Sequence, residues 1–266
     1  MLNWFKSLSY PEMALIATLF TWLITTLGAA VVFLFKKVNK TLMDAMLGFA
    51  AGVMIAAAFF SLLSPSIEMA EKLNLTGWVV ASIGVIFGAI LLFTGDKVFD
   101  ILERKKNLSN TSSFKRCLML VSSITIHNIP EGLAIGVAFG SLAYGLDGAT
   151  LSSACMLALG IGLQNFPEGM SVALPLRREG LSRKRAFFYG QLSGIVEPLS
   201  GLIGAILVIK VRTLLPYLLA FAAGAMIYVV VEELIPESQT NKRKDFMAFC
   251  TLIGFVIMMM MDLALG

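Results

Sequence analysis

Residues 127–139 read "HNIPEGLAIGVAF": an apolar run that nonetheless holds the chain's single histidine, an amide, a proline and a carboxylate. The pattern returns at residues 164–176 as "QNFPEGMSVALPL". On a helix, residues four apart share a face and residues three apart nearly do. His127 with Glu131, and Gln164 with Glu168, are spaced by four; Asn128 with Glu131, and Asn165 with Glu168, by three. Each segment therefore presents one carboxylate flanked by two neutral donors, all on one side of a helix.

The surrounding chain explains where such helices sit. Of 266 residues, 58% are hydrophobic and only 14% charged, too little charge to clothe a soluble domain of this length. Eight apolar stretches, at about 12–35, 42–64, 76–98, 117–144, 149–176, 185–209, 212–235 and 246–264, are each long enough to cross roughly 30 Å of hydrocarbon. The expectation is an all-α membrane protein with eight transmembrane helices in one polytopic domain over residues 1–266. No small-residue cleavage pattern follows the first apolar stretch, so it is read as a true span.

Charge orients the spans. Of 21 Lys and Arg, 17 fall in the connections after spans one, three, five and seven; the other side has only Lys6, Lys72, Lys210 and Arg212. The positive-inside rule then puts both termini outside the cytoplasm, in a multi-pass protein of the cell (inner) membrane. The net charge of +4 is a topology signal. It forms no folded basic domain for nucleic acid, and anionic lipid headgroups are its expected neighbours. Cys117, Cys155 and Cys250 lack paired spacing and read as small packing residues. Residues 95–116 form the one long polar connection, expected to be a mobile cytoplasmic loop.

An isolated carboxylate at the bilayer centre costs at least about 2.5 kcal/mol, and two that face each other also repel. A divalent cation removes both penalties. Imidazole nitrogen, amide oxygen and carboxylate oxygen are all competent ligands for zinc and its first-row neighbours. Pro130 and Pro167 cannot donate to the preceding turn, so kinks that widen the helix pair around an ion are expected. Any one of these polar residues alone is explained by interhelical hydrogen bonding. Their duplication beside two acids points to an ion site. Glu197, in "SGIVEPLSG", repeats the acid-before-proline arrangement and is a candidate further ligand. Glu68 and Asp262 fall on the outer side, and Glu232 and Glu233 near the inner end of span seven, which sketches a cation route.

With these residues in hand, the sequence resembles the ZIP (Zrt-, Irt-like protein) family of divalent metal transporters, in its bacterial GufA-like branch. The resemblance covers essentially the whole chain and rests most specifically on the paired H/Q-N-x-P-E-G motifs. It implies a binuclear metal centre: one position from His127, Glu131, Gln164 and Glu168, approached by Met54, and a second from Asn128, Glu131, Asn165, Glu168 and Glu197. It also implies Ser61, Glu68 and Asp262 at the outer entrance and Glu233 at the inner exit. Further implications are an inverted repeat of helices 1–3 and 6–8 around the 4–5 hairpin, elevator-like or rocking alternation, and a homodimer. Three features depart from the family pattern. Gln164 replaces a common histidine with a harder, weaker donor; Asn165 is neutral where some relatives have aspartate; and "NLSNTSS" replaces a histidine-rich third connection.

The expected function is therefore uptake of Zn²⁺, with Cd²⁺, Fe²⁺ and Mn²⁺ as further candidate substrates, into the cytoplasm, by a protein that is not an enzyme. An intramembrane zinc-dependent hydrolase is the rival, disfavoured because such enzymes usually hold zinc through more than one histidine. A water or neutral-solute channel leaves Glu131, Glu168 and Glu197 unexplained.

Overall fold

A computed structural model describes residues 2–34, 39–105, 113–145, 149–178 and 180–265, and all regular structure among them is helical. After a short segment, Leu2–Lys6, come α1 (Tyr10–Leu34), α2 (Lys40–Lys72), α3 (Gly77–Lys105), α4 (Ser113–Ser141), α5 (Leu151–Arg178), α6 (Arg183–Lys210), α7 (Leu215–Ser238) and α8 (Lys244–Leu265). Among the described residues, six helices (α1, α2, α3, α6, α7 and α8) are long and apolar enough to cross a membrane. The chain is thus a multi-pass, all-α membrane protein. The two helices that carry the paired motif, α4 and α5, have 29 and 28 residues.

One expectation changes. The polar connection at 95–116 is mostly helix, because α3 runs on to Lys105 and α4 begins at Ser113; residues 106–112 lie outside the described set. "DKVFDILERK" has no Gly or Pro and ends in four good helix formers, Leu102–Lys105, so the helix continues after the apolar run ends. Pro130 and Pro167 lie inside α4 and α5, whose helical assignment runs on through them. Irregular turns appear elsewhere. In α2, Ala57–Leu63 is a π turn ahead of Pro65, and in α7, Val230–Leu234 is a π turn ahead of Pro236. Each is closed by a five-residue hydrogen bond, Ser64 N–H to the Phe59 carbonyl and Ile235 N–H to the Val230 carbonyl. A wider turn there relieves the clash between a proline ring and the carbonyl four residues earlier.

Packing sorts the helices into pairs: α1 lies most extensively on α5, α4 on α6, α3 on α7 and α2 on α8. Further contacts join α1 to α6 and α4, whereas α2–α5 and α4–α7 are the main contacts across to the other four helices. The close pairs need a helix surface without side chains. A Cβ on Gly136 of α4 would run into the carbonyl of Gly201 of α6, and one on Gly52 of α2 into that of Thr251 of α8. Glycine thus lets backbones meet where lipid supplies no hydrophobic drive between helices. Replacing Gly136 with leucine is expected to force α4 off α6 at a cost of about 2 kcal/mol or more. Thermal unfolding in detergent measures this, and an unshifted midpoint would count against the close contact.

Candidate metal centre

The motif faces of α4 and α5 meet. Gln164 Nε2 donates to Glu131 Oε1 at 2.7 Å. The Glu131 carboxyl also lies within side-chain hydrogen-bonding range of Glu168 and in the field of Glu197. Asn128, Gln164, Asn165 and Glu197 are wholly buried, and Glu131 and Glu168 nearly so. Two carboxyls this close, shut away from water, need a shared proton or a cation between them. His127 belongs to α4, but its side chain lies outside the described set.

Glu197 completes the cluster from α6, where the helix tightens into a 3-10 turn at Ser193–Ile195 just ahead of Glu197 and Pro198. Side chains from other helices satisfy the carbonyls of this turn. Asn128 Nδ2 donates to the Ser193 carbonyl at 3.1 Å, and Trp22 Nε1 to that of Gln191 at 2.8 Å. The Glu197 carboxylate receives Asn165 Nδ2 on both oxygens at 2.9 Å, Thr21 Oγ1 on Oε2 at 2.5 Å and Thr25 Oγ1 on Oε1 at 3.5 Å. Asn165 also reaches the Thr21 carbonyl at 3.3 Å. Sequence reasoning missed α1 altogether. The available signal was Thr18, Thr21 and Thr25, three fully buried hydroxyls on one helical face of an otherwise apolar span.

The three amides share an orientation. Each points its nitrogen at a protein acceptor, leaving the oxygen (Asn128 Oδ1, Gln164 Oε1, Asn165 Oδ1) buried without a partner, as is Glu131 Oε2. Buried oxygens without donors are costly, and several of them gather in this one cluster. Carboxylate and amide oxygens suit divalent ions. Among the described residues no three His, Cys, Asp or Glu side chains converge as a metal cage, and the buried amide oxygens are the further oxygen donors beside the carboxyls.

The remaining predicted residues divide three ways. Ser61, Glu68 and Asp262 do come together: they line a cavity of about 220 Å³, with Ser61 Oγ donating to Asp262 Oδ1 at 2.9 Å. Glu232 and Glu233 line a second cavity, of about 510 Å³, beside Met43, Ser171, Pro175 and Glu237. Met54 lies buried in the apolar core. The cavities occupy opposite ends of the bundle. On α2, Leu47 lines one and Ser61 the other, about 20 Å apart along the axis. Glu168 is one turn from Ser171 at the Glu233 cavity; toward the Asp262 cavity, the fully buried side chains of Ile135, Phe139, Leu157 and Ile161 intervene.

Fold and site define a class: a multi-pass helical membrane protein built around a buried carboxylate–amide centre with a cavity toward either end. The family model described as "ZIP Zinc transporter" matches residues 8–117 and 103–262, and the chain belongs to the ZIP family. Zinc transporter ZIP11 of Xenopus tropicalis is 38% identical, over 95% of this chain and 97% of that protein. Zinc transporter GufA of Myxococcus xanthus is 34% identical, over 95% and 98%. Zinc transporter ZIPB of Bordetella bronchiseptica is 37% identical, over 91% and 78%. A transporter family sets aside the rival expectation of a hydrolase.

Asn165→Leu keeps the volume but strips Glu197 of its amide donor. A hydrogen bond to a buried charge is worth about 1.5–3 kcal/mol, so the variant is expected to unfold at a clearly lower temperature than the parent protein. Equal midpoints in detergent would mean that Asn165 does not hold Glu197.

Proposed function

We propose that this protein carries Zn²⁺ into the cytoplasm, with Cd²⁺, Fe²⁺ and Mn²⁺ as further substrates, through the centre between α4 and α5. The observation that carries the reading is the contact of two duplicated, buried carboxylates, Glu131 and Glu168, amid amide oxygens that have no donor. A divalent ion supplies the missing charge and the missing partners together. Gln164, and His127 one turn before Glu131, complete the first position. Asn128, Asn165 and Glu197 adjoin a second, and Met54 approaches from α2. The relatives' names, zinc transporters along nearly the whole chain, support the choice of metal.

The proposed topology has eight spans in one domain, both termini outside, in the cell (inner) membrane. The Lys and Arg bias supports it. An inverted repeat of α1–α3 and α6–α8 is proposed on the matching π turns before Pro65 and Pro236, one at each end of the bundle. On this topology the Asp262 cavity is the entrance and the Glu233 cavity the exit. The ion sheds water at Ser61, Glu68 and Asp262, passes to Glu131 and Glu168, and leaves past Glu232 and Glu233. The apolar layer of Ile135, Phe139, Leu157 and Ile161 keeps the centre shut from the entrance while Glu168 adjoins the exit. Shifting the α1, α4, α5, α6 set against the other four helices alternates access, and the protein works within a lipid bilayer as a homodimer.

Reconstituted protein is expected to take up Zn²⁺ into proteoliposomes, and Glu131→Ala and Glu168→Ala each to slow entry at least roughly tenfold. Equal uptake by all three at matched density would remove these acids from the path. Carboxylates must lose protons to bind metal, so acidifying the entry side is expected to slow initial uptake. A pH-independent rate would argue that metal does not meet carboxylates on its way.

A further inference from the structure

Glu197 differs sharply from Glu131 in the donors that meet it. Glu131 has one donor, Gln164, on Oε1, and its Oε2 has none. Both oxygens of Glu197 are met by donors: Asn165 Nδ2 reaches each of them, Thr21 Oγ1 donates to Oε2, and Thr25 Oγ1 stands 3.5 Å from Oε1. The Asn165 nitrogen is equidistant from both oxygens, at 2.9 Å, so it straddles the open edge of the carboxylate. A cation held by both oxygens of Glu197 would sit on that edge. The amide cannot turn over in place, because its oxygen would then face two carboxylate oxygens at contact distance. It is held from behind as well, by the Thr21 carbonyl.

Resting on the reading of this cluster as a metal centre, we propose that Asn165 is a built-in substitute for the second cation. The centre then takes one transition-metal ion at a time, at Glu131 and Glu168. Glu197 serves as a positioning residue that anchors Asn165, α1 and the α6 turn. Thr21 and Thr25 are the other half of the device: their hydroxyls, on α1, keep the carboxylate turned toward the amide. A second ion has to displace the Asn165 nitrogen, draw the carboxylate off the Thr21 hydroxyl, and give Glu197 at least as much as it loses. Asn165→Asp reverses the logic. It removes the N–H donor and sets a second carboxylate against Glu197, an arrangement that calls for a cation.

The test is equilibrium dialysis of the purified full-length protein in detergent against Zn²⁺, with bound metal counted per chain. The parent protein is expected to hold one ion and Asn165→Asp two. Thr21→Val, which keeps the shape and removes one donor to Glu197, destabilises only the state in which the hydroxyl bond is made. It is expected to tighten binding of a second ion by roughly tenfold or more. Two ions on the parent protein would overturn the substitution while leaving the metal centre standing. Folded Asn165→Asp that still holds one ion would also overturn it. If Asn165→Asp does not fold, an unchanged second-ion affinity in Thr21→Val overturns the proposal by itself. No bound ion on any variant would bring down the metal-centre reading, and this inference with it.

Discussion

Three carboxyls sit in one water-poor core, and each needs something in place of the water it gave up. Much of the architecture follows from that need. Glu197 is met by an amide and two hydroxyls from two other helices, so α1 and α5 must lie close on α6. Close approach in turn demands glycine on the facing surfaces, as at Gly201 against Thr18 and Gly194 against Thr25. The tight turn at Ser193–Ile195 frees carbonyls that Asn128 and Trp22 then satisfy. Remove the carboxylate and the rationale for the hydroxyl stripe on α1 and for much of this interhelical bonding goes with it. Glu131 is the exception: its Oε2 has no donor, and the proposed cargo ion would meet that oxygen.

Irregular backbone occurs in two kinds of place: a 3-10 turn ahead of Glu197 and a π turn at each cavity. The motif prolines, Pro130 and Pro167, are absorbed within unbroken runs of α-helix, while the wide turns fall at the cavity linings. Phe60 and Ser61 lie in the π turn of α2, and Glu232, Glu233 and Leu234 in that of α7. A π turn turns side chains away from the regular helical face and leaves weaker backbone bonding. Both properties suit residues that handle a hydrated ion at the mouth of a cavity. The centre itself requires rigidity, because amide oxygens discriminate among cations only if they are held in place.

Membership of the ZIP family and the departures from its pattern bear on the same atoms. Gln164 donates through its nitrogen to Glu131 and offers only a carbonyl oxygen to an ion, whereas an imidazole offers a softer nitrogen. The first position is accordingly richer in oxygen than a two-histidine version would be. Asn165, neutral, can hold Glu197 in a way an aspartate cannot.

The membrane class, the helical architecture and the identities of the central acids were legible in the chain itself. Apolar length and helical spacing are local properties, and acids duplicated within greasy segments are too costly to keep unless a positive charge meets them. The placing of Glu68 and Asp262 at one end followed from span order, because antiparallel spans bring their ends together, whereas Ser61 came only from the family resemblance. Other features were not legible. Thr21 and Thr25 look like ordinary residues of an apolar span until α6 is packed against α1, since a hydroxyl's role depends on which acceptor lies across the helix interface. The orientation of Asn128, Gln164 and Asn165 is equally invisible in sequence: an amide is donor and acceptor at once, and its neighbours decide which end faces the centre. The chain by itself determined which residues carry charge into the bilayer. Only the tertiary structure decided which of those charges are already satisfied, because satisfaction depends on contacts between residues as far apart as Thr21 and Glu197.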